Sequence, residues 1–177
     1  MTIEDVQVVI TRETTPVTQA GFGLPLVVGA KGTTDYDDLG YRICNTLADV
    51  AALEPADGED PGTAGTEVYK IAQKIFAQTP APEKIAVVWL DMTTPETLVA
   101  GLTALMAAGH NDWYFLLSES QTAANVDALA AFAAANDKLY FGSMTNTAFE
   151  DLDETTLALD RAAILCHKTA ATQYPAE

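Results

Sequence analysis

The stretch from Lys84 to Leu90, Lys-Ile-Ala-Val-Val-Trp-Leu, is a near-continuous apolar run with almost no polar position on either parity. Side chains alternate faces along a strand, so such a run has no face to offer water. It suits a strand buried on both sides, which is the situation inside a parallel sheet covered by helices. The surroundings agree. Thr66 to Gln78 predicts a helix, with Val68, Ala72 and Ile75 together with Tyr69 and Phe76 along one face at three- and four-residue spacing, ended by Pro80 and Pro82. After the apolar run, Asp91-Met-Thr-Thr-Pro-Glu96 combines a Thr cap, an early Pro and an early Glu, a helix start signal, and Leu98, Leu102 and Leu105 form the stripe that follows.

The alternation continues. Asp112 to Ser118 predicts a central strand, and Gln121 to Ala135 an Ala-rich helix facing the core with Val126, Leu129, Ala130 and Ala133. Leu139 to Ser143 and Ala162 to His167 are further strands, separated by the acidic, partly helical segment Glu150 to Asp160. Nearer the start, Val6 to Glu13 and Leu24 to Ala30 predict strands. Lys31 to Gly40 predicts a polar turn, Tyr41 to Asn45 a short strand and Thr46 to Leu53 a short helix. Glu54-Pro-Ala-Asp-Gly-Glu-Asp-Pro-Gly62 is the one linker, exposed by its Pro, Gly and acid content. Strands and helices in this order imply right-handed crossovers. The expected class is α/β: a mostly parallel sheet with helices on both faces, preceded by an extended N-terminal arm. The arm is residues 1–13 and the domain 14–177, with room for a subdomain boundary near 54–63.

Length and composition bound what such a domain does. A chain of 177 residues with 49% hydrophobic and 8% aromatic content is globular, not disordered. No apolar run approaches the ~20 residues that cross a bilayer, and Met1-Thr-Ile-Glu-Asp5 lacks the regions of a signal peptide, so synthesis and retention in a cytosol are expected. Twenty-five acidic against 9 basic residues leave a net charge of −16. Nucleic acid and anionic membranes both require clustered cations, and are excluded as partners. The charge supports solubility through mutual repulsion, or tunes an assembly that must not form too early.

A search for chemistry returns no convergent set. Open α/β sheets bind ligands at the carboxyl ends of their strands. Here those ends carry Asp91, Ser118, Ser143 and His167; Asp91 and Ser118 precede helices, where short polar side chains are expected as caps. There is no Gly-x-x-x-x-Gly-Lys-Ser/Thr phosphate loop. Gly21-Phe-Gly-Leu-Pro-Leu26 lacks the third glycine of a dinucleotide fingerprint and precedes a strand instead of opening a helix. His110, in Ala-Gly-His-Asn-Asp, is expected in a solvated or helix-C-capping role. Cys44 and Cys166 fit no metal spacing, sit in apolar surroundings and are expected as buried thiols; nothing brings a cysteine and a histidine together as a nucleophile pair. The acid clusters Asp35-Tyr-Asp-Asp38, Asp57-Gly-Glu-Asp60 and Asp151-Leu-Asp-Glu154 lack the spacing of a calcium loop. No catalytic, cofactor-binding or metal-ligating residue is assigned, and no cofactor is expected.

Several segments, in order, resemble the contractile-tail sheath proteins of phages, the subunits of the tube that shortens on injection. The first is Thr15-Pro-Val-Thr-Gln-Ala-Gly-Phe-Gly-Leu-Pro-Leu-Val-Val-Gly29, where Pro16 and the Gly21-Phe-Gly23 pivot turn an extended arm into the first buried strand. Thr46-Leu-Ala-Asp-Val-Ala-Ala-Leu53 follows, then Val68 to Val88, where a helix ending in Phe-Ala-Gln-x-Pro leads into a strand. The Asp112-Trp-Tyr strand and the closing Arg161-Ala-Ala-Ile-Leu-Cys-His-Lys168 complete the set. The resemblance implies a structural subunit without an active site, whose partners are copies of itself stacked helically around an inner tail tube protein, within a virion tail assembled in the bacterial cytoplasm. It implies that Thr2 to Glu13 is an arm adding a strand to a neighbouring copy; the alternative is an ordinary edge strand of its own sheet. Contraction would be a rigid-body transition. Sheath proteins continue well past the point corresponding to Glu177, which implies a fragment or a shortened relative. The competing class is a small α/β ligand-binding protein or enzyme with polar loops around Asp91, Ser118 and His110 forming its site.

Overall fold

The structure, a computed structural model, describes residues 23–31, 40–53, 67–145 and 159–167. The expected arm over 1–13, all but the two end residues of the turn Lys31 to Gly40, the linker over 54–62, the three acid clusters and most of the acidic segment from Glu150 lie outside the described residues.

Six strands form one sheet: β1 (Pro25–Ala30), β2 (Arg42–Cys44), β3 (Ile85–Leu90), β4 (Phe115–Ser118), β5 (Leu139–Thr145) and β6 (Ala162–His167), in the order β2-β3-β1-β4-β5-β6. All neighbours run parallel except β2, which pairs antiparallel to β3 with Cys44 opposite Ile85. The fold is therefore the expected α/β class with a mostly parallel sheet. The first strand lies in the middle, flanked by β3 and β4, so the order of the parallel strands reverses between β1 and β4.

Apolar positions of both parities along β1 and β3 are used because each face has its own core. Leu26 and Val28 of β1, with Ala86, Val88 and Leu90 of β3, face α3 (Pro95–Ala107) and α4 (Ala123–Ala135). Val27, Ile85, Val87 and Trp89 face the other way, toward α1 (Leu47–Ala51) and α2 (Glu67–Phe76). All six residues of β3 are buried. The expected stripe of Leu98, Leu102 and Leu105 is fully buried on α3, each leucine contributing about 1.5–3 kcal/mol. On α4, Ala130 and Ala133 are buried beside Val126 and Leu129; small side chains let that helix lie close to the sheet.

Local signals set the helix ends. Thr46 caps α1: its hydroxyl accepts the Asp49 N–H at 3.1 Å, and Asp49 Oδ2 accepts the N–H groups of Asn45 and Thr46 at 2.8 and 2.9 Å. Those backbone donors hold the Asp49 carboxyl below the usual range. Thr94 caps α3 with Pro95 as the first helical residue. At the other end Gly109 takes φ +92°, the His110 N–H reaches Leu105 O at 3.2 Å and the Gly109 N–H reaches Met106 O at 3.0 Å, a left-handed helix stop that glycine adopts without strain. The α4 stop has the same form without glycine: Asp137 sits at φ 56° and the Lys138 N–H reaches Ala133 O at 2.9 Å. Asp137 then pairs with Arg161 at 2.8 Å, at the short 3-10 turn (Leu159–Arg161) that precedes β6.

Candidate functional site

The carboxyl ends of β1, β3 and β4 are where an open α/β sheet presents side chains to a ligand, and the reversal between β1 and β4 is the favoured point. The chain leaves β3 through Asp91, which is exposed and closes a turn by accepting the Thr93 N–H on Oδ1 at 2.8 Å. The Thr93 hydrogen bonds, with Lys31 nearby, hold its carboxyl below the ordinary range. The cap of α3 is Thr94; Asp91 shapes the turn before it.

The chain leaves β4 through Ser118, which is fully buried, its hydroxyl accepting the Ser120 N–H at 3.1 Å. The cap position of α4 is Thr122, whose side chain makes no capping bond. Both residues expected as caps are turn formers instead, ahead of the cap positions Thr94 and Thr122.

Asn125, buried near the start of α4, joins these two exits. Its side-chain amide donates to Ser120 Oγ at 2.9 Å and to Met92 O at 3.2 Å, tying the β4–α4 loop to the β3–α3 loop. Glu119 extends the row across to β1. Its Oε1 accepts the Ala30 N–H at 2.6 Å. Burial raises the Glu119 carboxyl above its usual range; the Ala30 hydrogen bond opposes this and the charge of Glu67 adds to it.

The other candidates fall elsewhere. Ser143 is buried within β5, which runs on to Thr145, so it is not at a strand end. His167 closes β6 by backbone pairing with Thr145. His110 lies on the connection into β4 from its amino end, opposite Asp91 and Ser118, where its ring stacks on Tyr41 with centroids 4.2 Å apart. The structure thus separates His110 from the site that Asp91 and Ser118 were expected to share with it. Cys44 is buried on the α1/α2 side, whereas Tyr41, beneath His110, packs on the α3/α4 side. Cys166 corrects an expectation: it is exposed, because β6 is the outer strand of the described sheet and its solvent-facing positions are uncovered.

Three participants were not singled out from the sequence. Asn125 and Glu119 are ordinary polar residues until the crossovers bring their loops together. Lys138 is another such case: it is buried, donates to Trp113 O at 2.7 Å and Asn111 O at 3.1 Å, and lies 4.6 Å from the Trp113 ring centroid, closing the amino end of the sheet. Among the described residues no group of three or more His, Cys, Asp or Glu side chains is placed to hold a metal ion, and no helix is long and apolar enough to cross a membrane. Chemically, the strand-end polar groups form a hydrogen-bonded brace between loops. No protein-family model matches the chain, and no curated protein matches it significantly.

Proposed function

We propose that the chain is a structural subunit of a contractile phage-type tail sheath, assembling helically with copies of itself around an inner tube and contracting by rigid-body rearrangement. The observation that carries this reading is the outer strand β6. It coincides with the closing sheath-like segment Arg161 to Lys168, and among the described residues its one strand neighbour is β5. Ala163, Leu165 and Cys166 are exposed along it, Leu165 at 48%. An outer strand with an exposed leucine is a surface on which another strand docks. The use of Asp91, Ser118 and Asn125 as braces between loops supports a scaffold role.

The test is negative-stain electron microscopy of the natural gene product across salt and protein concentration. Long hollow tubes or stacked rings are expected, favoured at higher salt because screening relieves the repulsion between copies of charge −16. Dispersed particles under every condition would overturn the proposal. One observation favours the competing class, a small ligand-binding protein or enzyme: the strand order reverses beside Ala30 and Glu119, where such folds take their ligands.

A further inference from the structure

The two faces of the sheet are covered unequally. On one side α3 and α4 lie over a core that runs from Leu26 and Val88 to Tyr140 and Met144, and Ala162 and Ile164 of β6 pack against it. On the other side α1 and α2 rest on β2 and β1. From there outward the cover thins strand by strand. Leu117 of β4 is buried, Phe115 of β4 and Phe141 of β5 are half-buried with ring centroids 5.8 Å apart, and Ala163 and Leu165 of β6 are exposed. Register sets Ala163 beside Phe141, so these side chains form one apolar strip across β4, β5 and β6 on the α2 side. A mostly parallel sheet ordinarily has both faces covered.

Topology limits what covers the strip. The connection from β4 to β5 is α4, on the opposite side. The step from β5 to β6 moves the same way across the sheet, so a right-handed crossover sends residues 146–158 to that opposite side too. The Asp137–Arg161 pair agrees, joining the end of α4 to the turn ahead of β6. Of the other segments outside the described residues, 54–66 has no large apolar side chain, and 32–39 and 168–177 have no run of aliphatic ones. Residues 1–22 do have such a run, in which Val6, Val8 and Ile10 share one face of an extended chain. The reach also fits. The Tyr114 N–H donates to Leu24 O at 3.3 Å, so the chain arrives at β1 beside the amino end of β4, where the strip begins. Residues 14–22 extend up to about 30 Å, and β6 lies about 10 Å beyond β4. Val6 to Ile10 spans about 13 Å when extended, enough to lie across all three strands.

We propose that Thr2 to Glu13 of the dispersed chain packs across the α2-side face of β4, β5 and β6, with Val6, Val8 and Ile10 on Phe115, Phe141 and Leu165. The contact is within one chain and on the face of the sheet. It leaves the edge of β6 open, and so does not rest on sheath assembly.

The test uses the full chain with Cys166→Ser, which removes the exposed thiol, and Thr11→Cys, which carries a nitroxide spin label on the outward parity of the segment. Leucine methyl spectra are recorded at low ionic strength, where repulsion keeps copies apart. Compared with the reduced label, the Leu165 and Leu117 methyls are expected to lose intensity, while Leu102 of α3, on the opposite side, keeps it. Val8→Asp in the same chain should restore both signals. Isotope-labelled chain without the nitroxide, mixed with unlabelled chain that carries it, should show no loss. Unchanged Leu165 methyls overturn the proposal. Loss at Leu165 with Leu117 spared also overturns it, by making the segment a strand added to the edge of β6, and loss in the mixed sample does so by making it the segment of a second copy. The label is placed at Glu13→Cys as well, so that a defect in one variant does not decide the matter.

Discussion

Val68 of α2 sits over Gly29 of β1, and substitution of that glycine by alanine is a quantitative test of how α2 is seated. A Cβ at Gly29 would overlap Val68 Cγ2 and come within 3.0 Å of Trp89 Cδ1. Val68 is fixed, being 2% exposed on α2 with a β-branched side chain that has one strongly preferred rotamer in a helix. Forcing an extra methyl into such packing costs about 1–3 kcal/mol. Against this stands roughly 0.5–1 kcal/mol gained when alanine replaces glycine in a strand. With an overlap that Val68 cannot relieve, the upper half of that cost applies, about 2–3 kcal/mol, so Gly29→Ala is expected to destabilise by about 1–2.5 kcal/mol. Val68→Ala removes the blocking methyls and on its own costs about 1.5–3 kcal/mol in lost burial and cavity. In the double variant the new methyl occupies part of the vacated space, so the two losses should fall short of their sum by about 1 kcal/mol or more. The assay is urea unfolding of the four proteins followed by tryptophan fluorescence, with m-values compared to exclude denatured-state effects. A neutral Gly29→Ala, or losses additive within about 0.5 kcal/mol, would refute the contact as the seat of α2.

Three further outcomes are expected. Tyr140 is fully buried with its hydroxyl unpartnered, in space that Gly142 leaves open, so Tyr140→Phe should stabilise by roughly 1–2 kcal/mol in the same urea assay; a loss of similar size would reveal a bound water. Burial pushes the Cys44 thiol up to about 11, whereas Cys166 is exposed, so one thiol should react with Ellman's reagent in the folded protein at pH 8 and that reaction should vanish in Cys166→Ser. Glu119 has its carboxyl raised on folding, so the folded state holds the proton more tightly and stability falls as pH rises through the folded pKa. Glu119→Gln keeps an acceptor for Ala30 and should be more stable than the parent at pH 7, with the advantage shrinking toward about pH 4; a difference constant with pH would contradict this assignment.

What was legible in the sequence was mostly what depends on local period. The apolar run at Lys84–Leu90, the leucine stripe of α3 and the Thr94-Pro95 start are short-range signals, and each lies where expected. Strand β4 begins at Phe115 instead of Asp112, because Trp113 turns its indole back to donate to His110 O at 3.0 Å and closes the loop that leads into it. Strand order was not legible. Nothing local to Pro25–Ala30 tells that it will sit between β3 and β4, and the hydrogen bond from the Ala30 N–H to Glu119 exists only once that is so. The same holds for Cys166: an apolar neighbourhood in sequence predicts burial, but β6 is the outer strand among the described residues, with β5 as its one strand neighbour there. His110 was displaced from its supposed partners by chain direction alone, since loops on either side of a parallel strand belong to opposite ends of the sheet.

The central place of β1 also bears on how the chain is made. It is the first strand of the described sheet to be synthesised, yet Leu26 rests against Ala86 on one side and Leu116 on the other. At a synthesis rate of roughly 5–20 residues per second, the apolar Leu26, Val27 and Val28 wait seconds before either flank exists, and longer before both do. Neighbouring ribosomes on one message would hold several such unpaired strands close together. Until β3 emerges, the nascent chain is a better substrate for a chaperone, or for another copy of itself, than at any later moment.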